Sequence, residues 1–216
     1  MADPQSSFGP EEFLSEVNVS RETLDRLLIY AELLQKWQKA INLIGKSTLP
    51  DLWRRHMLDS AQLLSHTTRS SGIWLDLGSG AGFPPLVIGI CSNFEVHAVE
   101  SDQRKCLFMQ NVSRETSAGV TVHNRRIEEM EPFTADIISA RALAPLEKLL
   151  TLAAPFVRKD TELFFLKGQD VDAELTEATK CWNIAFCKHS SRTQQNGCIL
   201  EIHEAERVSK NTTASD

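Results

Sequence analysis

Three glycines separated by single residues, Gly78, Gly80 and Gly82, form the part of the chain best suited to bind a cofactor. Glycine has no Cβ, so such a turn adopts positive φ angles and lets a ligand approach the backbone closely. The amides of the turn and of a following helix can then meet the polar part of a nucleotide-like molecule. Asp76 adds a carboxylate two positions before the turn. Phe83 excludes the dinucleotide pattern G-x-G-x-x-G, and no Gly-Lys-Ser/Thr follows to make a P-loop.

The same segment, Leu75 to Pro84, resembles the first motif of S-adenosylmethionine-dependent methyltransferases, in which an acidic residue precedes a Gly-x-Gly-x-Gly turn by two positions. An ordinary tight strand-to-helix turn is the alternative, since glycine clusters punctuate many loops. On the methyltransferase interpretation we expect Pro84 to open a helix, and Asp76, Gly78 and Gly80 to lie against the cofactor.

Alternating strands and helices must hold this turn. The apolar patterns predict strands at 73–77, 95–99, 120–123, 136–139 and 162–166, with helices between them and Ser101 capping the helix after the second strand. Such βαβ alternation implies a parallel sheet with helices on both faces. Two further strand-like runs flank Asn196-Gly197, a hairpin signal. The predicted fold is therefore α/β, a class I methyltransferase type with a Rossmann-like, mainly parallel seven-stranded sheet and a C-terminal antiparallel hairpin.

The chain before residue 71 has helical periodicity. Pro10 at the first helical position, Ser20 as a cap, and a capping box at Thr48–Asp51 predict three helix starts. We therefore divide the chain into an N-terminal helical extension (1–70), a Rossmann-like methyltransferase domain (71–208) and a polar, disordered tail (209–216).

The residues that end the strands are the ones to examine, because ligands bind outside the carboxyl ends of the strands in open α/β sheets. Glu100 follows Gly78 by 22 positions and suits hydrogen bonds from ribose hydroxyls; a favourable charge at a helix start is the alternative. Ile127, after the third strand, could pack on an adenine face, or belong to a surface loop. Arg141, after the fourth, could bind a carboxylate or phosphate bidentately, or form a structural ion pair.

Two absences limit the chemistry. The fourth strand ends in Ser139-Ala140-Arg141-Ala142, where enzymes that methylate exocyclic amines of adenine or cytosine usually carry Asn/Asp-Pro-Pro-aromatic. No Pro-Cys dipeptide is present to supply the nucleophile for cytosine C5 methylation. Guanine N7 has a free lone pair, so its methylation needs positioning more than a general base. We assign no catalytic base and expect an electrostatic or positioning role for Arg141.

His56, Asp59 and Ser60 share one helical face. A hydrolytic triad from consecutive helical turns is geometrically poor, because each partner must orient the next. We expect these residues to make helix hydrogen bonds or to line the cofactor cleft from the N-terminal helices. The other histidines show no ligand spacing, so no metal is expected.

Length and composition set wider bounds. At 216 residues and 42% apolar, the chain is one large domain or one domain with a small extension. The net charge of −6 argues against indiscriminate coating of nucleic acid but leaves RNA open as a substrate. The sequence predicts no membrane span and no secretory signal. Five cysteines without a C-x-x-C pair favour a reducing cytoplasm.

Several separated segments together resemble the RsmG (GidB) family, bacterial small-subunit rRNA guanine-N7 methyltransferases. They follow the family's order and spacing over roughly residues 20–203, and are Trp37 to Leu43, Arg55 to Ser60, Leu75 to Pro84, Ser139 to Pro145, and Lys167-Gly168. The resemblance implies methyl transfer from S-adenosylmethionine to N7 of a guanine (expected position 527) in the decoding-region loop of 16S rRNA, within the assembled small subunit.

Carried over by position, the family's cofactor contacts fall on Gly78, Phe83, Ile127, Glu128 and Arg141. Two departures affect the same region: Pro85 stands where a second glycine is common, and Glu100 replaces the commoner aspartate.

We expect RNA contacts from five basic residues, of which the paired ones could instead be solvated surface features: Arg54, Arg55, Arg125, Arg126 and Lys167. The enzyme is expected to be a cytoplasmic monomer. A methyltransferase for another RNA or for protein, and a non-catalytic ribosome-assembly factor that keeps the cofactor pocket, remain as alternative functions.

Overall fold

A computed structural model describes residues 8–208, so the predicted tail at 209–216 lies outside the described residues. Seven strands form one sheet in the order β3-β2-β1-β4-β5-β7-β6. Strands β1 to β5 are parallel, and β7 pairs antiparallel with both β5 and β6. The predicted fold class is confirmed. The strands are Ile73–Leu77, Glu95–Glu100, Thr121–Asn124, Ile137–Arg141, Glu162–Lys167, Trp182–Ser190 and Cys198–Arg207.

Helices cover both faces of the sheet, as expected where central parallel strands are apolar on both sides. They are α1 Pro10–Val17, α2 Arg21–Trp37, α3 Asp59–Ala61, α4 Pro85–Cys91, α5 Gln103–Glu115, α6 Leu146–Ala153 and α7 Val171–Ala178. Helices α1, α2, α4 and α5 share one hydrophobic core with the first face. Helices α6 and α7 pack on the second.

The N-terminal helices are part of the first core. Phe13, Leu27 and Tyr30 are fully buried and belong to the same cluster as Trp74 and Phe108, which come from β1 and α5. Each such side chain removed from water stabilises the packing by about 1.5–3 kcal/mol. The division at residue 70 therefore remains an interpretation of the sequence, since the two parts share one core.

Two helix starts are confirmed and two are corrected. Helix α1 begins at Pro10, and Ser20 Oγ accepts from Thr23 N at 3.1 Å to cap α2. The cap of α5 is Asp102 and not Ser101, because the Asp102 carboxylate accepts from two backbone amides of the first turn. Pro84 is itself the N-cap of α4, which begins one residue later, at Pro85.

The predicted third helix is broken into short pieces. A 3-10 turn at Leu49–Asp51, a π-helical stretch at Trp53–Leu58, helix α3 and a second 3-10 turn at Gln62–Ser65 follow one another, and Thr48 makes no capping bond. Side chains bind backbone carbonyls that a regular helix would use. The Arg55 carbonyl, for example, accepts from the Arg141 guanidinium at 3.2 Å.

The strand ends lie one or two residues later than predicted for β2, β3, β4 and β5. Glu100 pairs with Asn124, and Arg141 with Leu166, so both functional candidates are the last residues of their strands. Because β1, β2 and β4 are neighbours in the sheet, their carboxyl ends bring the glycine turn, Glu100 and Arg141 to one edge.

Candidate functional site: a cleft at the carboxyl edge of the sheet

The glycine turn connects β1 to α4 in a conformation that needs glycine. Gly78, Gly80 and Gly82 have φ angles of 70°, 55° and 90°. A Cβ on Gly78 would come within 2.5 Å of Leu143 Cδ1, and one on Gly82 within 2.3 Å of Leu86 Cδ1. The first and third glycines therefore provide space as well as a positive φ, whereas Gly80 provides chiefly the φ angle.

Glu100 holds the turn from the neighbouring strand. Its Oε2 accepts from Gly80 N at 2.9 Å, and its Oε1 accepts from Asp102 N at 2.8 Å. Each carboxylate oxygen has a second lone pair, so Glu100 can still accept from ribose hydroxyls. That role stays a prediction; the structure adds that Glu100 organises the turn itself.

Asp76 lies beneath the turn and is almost fully buried. Its Oδ1 accepts from Ser139 Oγ at 2.6 Å, and Ser139 Oγ accepts in turn from Trp74 Nε1 at 2.9 Å. Burial raises the pKa of the Asp76 carboxyl to about 7, an effect that the bond from Ser139 partly opposes. Within residues 8–208, Asp76 Oδ2 is buried with no hydrogen-bond partner.

A cavity of about 450 Å³ opens in front of the turn. It collects most of the predicted cofactor contacts, and we call it the glycine-turn cavity; its lining includes Gly78, Gly80, Glu100, Ile127, Glu128 and Arg141. Arg125 and Arg126 belong to the same lining. Volumes of 300–1,000 Å³ are typical of cofactor sites.

S-adenosylmethionine fits the groups at this cavity. Carboxylates at Glu100 and Glu128 suit ribose hydroxyls and an amino group, and half-buried Ile127 offers an apolar face for adenine. The unpartnered Asp76 Oδ2 below the turn is an acceptor without a donor, which a cationic ligand near the turn would stabilise. Asp76 itself does not line the cavity, so its predicted contact with cofactor stays a prediction.

Arg141 lines the glycine-turn cavity and is held there by several hydrogen bonds. Its Nη1 donates to the Arg55 carbonyl at 3.2 Å and to Asp59 Oδ2 at 3.3 Å, and its Nη2 donates to His56 Nδ1 at 2.9 Å. The guanidinium also lies over the Phe83 ring, 5.4 Å from the centroid. A guanidinium has five N–H donors. Three are used here, so two remain for a ligand.

His56 is a neutral acceptor for Arg141. Because an arginine only donates, Nδ1 must be the unprotonated nitrogen, and Nε2 carries the hydrogen that it donates to Thr48 Oγ1 at 2.8 Å. Thr48 donates onward to the Gly45 carbonyl. Burial, followed by the charge of Arg141, lowers the pKa of His56 to about 3. The expected position of His56 beside the cleft is therefore observed, and its two ring nitrogens are both engaged.

Asp59 joins Arg141 to the turn between β6 and β7, residues 191–197, which we call the hairpin loop. Asp59 is 2% exposed, and its Oδ1 accepts from Thr193 Oγ1 and from Gln62 Nε2 at 2.9 Å. Gln62 Oε1 accepts from Arg192 N at 3.0 Å. Ser60, in contrast, donates its hydroxyl hydrogen to the His56 carbonyl and not to His56 Nδ1 or Nε2, so these residues form no hydrolytic triad.

Two further cavities adjoin the first at Arg141 and Ala142. The central cavity, about 270 Å³, is lined by Thr48, His56, Phe83 and Gln194 among others. The hairpin cavity, about 560 Å³, is lined by Arg55, Asp59, Lys167, Gln194 and others.

Ala142, shared by the three cavities, has a φ of 51°, an uncommon conformation for a residue other than glycine. Strain of this kind is concentrated at functional sites. Because all three cavities share Arg141 and Ala142, they form one continuous cleft.

The predicted RNA-binding residues fall in different surroundings. Arg54 is exposed and lies over the Phe8 ring, and Arg55 lines the central and hairpin cavities. Arg125 and Arg126 are exposed at the glycine-turn cavity. Lys167 is only 7% exposed and donates to Glu174 Oε2 and to the Ala144 carbonyl. Contact with RNA stays a prediction for each of them.

Sequence reasoning missed the residues that support the cleft from a distance. Tyr30, on α2, donates to the Ala81 carbonyl of the glycine turn at 2.7 Å and stacks on Phe83. Ser139 orients Asp76, and Thr193 binds Asp59. Tyr30 is the only tyrosine of the chain, but its helical spacing marked it as core, and nothing in the sequence pointed to the glycine turn.

No helix within residues 8–208 is long and apolar enough to cross a membrane. In the same range no group of three or more His, Cys, Asp or Glu side chains is arranged to hold a metal ion.

The strand order, the antiparallel β7 and a glycine turn at the carboxyl edge of the sheet define a class I S-adenosylmethionine-dependent methyltransferase. Solved structures of this class share the fold. A ribosomal protein L11 methylase from Lactobacillus delbrueckii subsp. bulgaricus aligns with a TM-score of 0.56 at 13% identity, over 67% of this chain and 75% of that one. A TehB-like S-adenosylmethionine-dependent methyltransferase from Corynebacterium glutamicum gives 0.54 at 12% identity, over 81% and 96%.

The family model for rRNA small subunit methyltransferase G (GidB) matches residues 23–200, and the chain belongs to this family. A ribosomal RNA small subunit methyltransferase G from Paramagnetospirillum magneticum is 50% identical over 199 residues, covering 92% of this chain and 97% of the relative. One from Rhodospirillum rubrum is 48% identical over 92% of this chain and 99% of the relative. Family and fold together imply S-adenosylmethionine as the methyl donor.

Proposed function

We propose that the protein transfers a methyl group from S-adenosylmethionine to N7 of a guanine in the 16S rRNA of the small ribosomal subunit. Membership of the rRNA small subunit methyltransferase G family supports the class of substrate, because relatives of 48–50% identity carry that name. The cleft itself bears on which atom accepts the methyl group.

The state of His56 is the observation that carries the proposal. His56 is the imidazole next to Arg141, its pKa is lowered to about 3, and both of its nitrogens are engaged. Asp59, the adjacent carboxylate, is occupied by Arg141, Thr193 and Gln62. Neither group is free to remove a proton. An acceptor such as guanine N7, which has no proton to lose, suits this arrangement.

The residues of the cleft then act by positioning. When bound, S-adenosylmethionine supplies an electrophilic methyl group on a sulfonium. Gly78 and Gly80 bring backbone close to the ligand, and Ile127 offers an apolar face. Arg141 is fixed by Asp59, His56 and the Arg55 carbonyl, so its two remaining donors have a defined direction and lose little entropy on binding a ligand.

Transfer of labelled methyl groups tests the proposal. Small subunits from a strain that lacks this gene should accept label, and borohydride–aniline cleavage followed by primer extension should map it to a guanine N7. Free 16S rRNA, tested in parallel, reports whether the assembled subunit is required. Label on a different RNA or on protein would replace the proposed substrate. Binding of labelled cofactor and subunits without transfer would favour an assembly factor.

We infer further that the protein acts as a monomer in the cytoplasm. Light scattering on the purified protein, with and without cofactor, should give the mass of one chain, and a dimer mass would contradict the inference.

A further inference from the structure

Gln194 lies where the central and hairpin cavities meet, and both of those cavities also include Arg141. It is half-buried, and its backbone N donates to Ser191 Oγ at 3.2 Å. Its carboxamide forms no hydrogen bond with any residue in the described range 8–208. A neutral group with one donor and one acceptor end is thus presented to the cleft without a partner.

The hairpin loop holds Gln194 in place from both ends. Ser191 N donates to the Gly197 carbonyl at 3.0 Å, and Gly197 N donates to the Gln194 carbonyl at 3.1 Å. A Cβ on Gly197 would come within 2.9 Å of Gln194 Cβ and 3.5 Å of Gln194 Cδ, so the glycine packs directly against the side chain as far as the carboxamide. The backbone of Gln194 therefore has little freedom to move.

Asp59 and Gln62, from the N-terminal part of the chain, fix the same loop. Thr193, next to Gln194, donates to buried Asp59, and Arg192 N donates to Gln62. Asp59 also binds Arg141. Gln194 and Arg141 are therefore held relative to each other through one carboxylate, although they lie on separate elements.

We propose that Gln194 binds the acceptor base, as a specificity residue that hydrogen-bonds the N1–O6 edge of guanine. This inference rests on the proposed function. The N1–H and C6=O groups of guanine form a lactam edge with one donor beside one acceptor, which a carboxamide matches with two hydrogen bonds. That pairing leaves N7, on the other side of O6, open to the methyl group. Arg141 cannot replace Gln194 at this edge, because a guanidinium has no acceptor.

The test is Gln194→Met, which keeps the length of the side chain and removes both polar ends. Gln195→Met is the matched control, because Gln195 is the next residue of the loop, is exposed, and lines none of the three cavities. The measurements are kcat/KM for small subunits lacking the modification, the Kd for S-adenosylmethionine, and the Tm of each variant.

Loss of two neutral hydrogen bonds should reduce kcat/KM of the Gln194→Met protein about tenfold or more. The Kd for S-adenosylmethionine and the Tm should match the wild type, and Gln195→Met should behave like the wild type throughout. Unchanged kcat/KM in Gln194→Met would overturn the inference, and so would a parallel loss of cofactor affinity or of Tm. A wild-type protein that transfers no label would instead refute the proposed function, and this inference with it.

Discussion

The two sides of the cleft are built in different ways. On the glycine-turn side, the contacts that hold the turn to the next strand are short in sequence: Ser79 N donates to the Val99 carbonyl, and Gly80 N donates to Glu100, 20 residues away. On the hairpin side, Asp59 joins groups 82 and 134 residues away, at Arg141 and Thr193. One side consists mainly of backbone on adjacent parallel strands. The other is a buried network of side chains from three separate parts of the chain.

This difference determines what each side tolerates. Backbone amides on a sheet edge keep their direction as long as the strands pair, so the glycine-turn side depends on φ angles and space. A buried charged network depends on every partner, because an uncompensated charge away from water is expensive. We therefore expect substitutions in the Asp59 network to affect folding and those at the turn glycines to affect cofactor binding.

Removal of the Asp59 carboxylate should have the largest effect. Asp59→Ala leaves Arg141 without its counterion and Thr193 without its acceptor, which we expect to lower the free energy of unfolding by about 3–5 kcal/mol. Urea denaturation measures this change. Asp160→Ala is the control, since Asp160 pairs with Arg69 at the surface, 62% exposed, and should cost less than about 1 kcal/mol. Equal losses in the two variants would show that the network has no special importance.

The buried carboxyl of Asp76, below the glycine turn, should make the free energy of unfolding depend on pH. Its pKa is about 7 in the folded protein against 3.8 ordinarily, so the folded state holds the proton more tightly and loses stability as the pH rises between about 4 and 7. Asp76→Asn removes this loss. The variant should therefore gain on the wild type as the pH rises, by at most about 4 kcal/mol at pH 8.

His56 also makes stability depend on pH, with the opposite sign. This contribution is the same in the wild type and in Asp76→Asn, so it cancels from the difference between the two proteins. The lowered pKa of His56 means that the unfolded chain binds the extra proton, so stability rises with pH between about 3 and 6.5. Both proteins retain His56, and the difference between their free energies of unfolding reports Asp76 alone. A difference that does not change between pH 4 and 7 would contradict the raised pKa of Asp76.

Substitution of the first turn glycine should mainly weaken cofactor binding. Gly78→Ala has a strained φ of 70° and must displace Leu143, which lines the glycine-turn cavity, at a cost of about 1–3 kcal/mol. Gly80→Ala has the strain without the contact, since its Cβ would meet nothing closer than 4.0 Å. Calorimetric titration with S-adenosylmethionine should rank the wild type first, Gly80→Ala second and Gly78→Ala last. The reverse order of the two variants would show that space at Gly78 is unimportant.

The smallest effect is expected at the exposed rim of the glycine-turn cavity. If Arg126 contacts a phosphate, Arg126→Ala should weaken binding to small subunits a few-fold. It should also reduce the slope of log K against log salt concentration by about one unit or less. Arg104→Ala is the matched control, because Arg104 is equally an exposed arginine but lies outside the three cavities. Filter binding across a range of salt concentrations measures both. Identical slopes for Arg126→Ala and the wild type would remove Arg126 from the RNA contacts.

Local sequence patterns predicted helices and strands well where contacts between residues close in sequence decide the conformation. The periodicity of the strands, the Ser20 cap and the Asn196-Gly197 hairpin signal depend on near neighbours, and the structure confirms them. The segment 48–65 was wrongly predicted as one helix, because its carbonyls and side chains bind groups distant in sequence. Pairing with neighbouring strands likewise extended β2 to Glu100 and β4 to Arg141.

The sequence by itself determined the fold class, the glycine turn and the candidates Glu100 and Arg141 near the strand ends, since hydrophobic period, glycine spacing and chain order are local properties. Only the tertiary structure revealed that Tyr30 supports the turn, that Asp59 joins Arg141 to the hairpin loop, and that Gln194 is left without a partner. Those facts depend on which distant side chains meet in the packed core, and no spacing along the chain encodes such meetings.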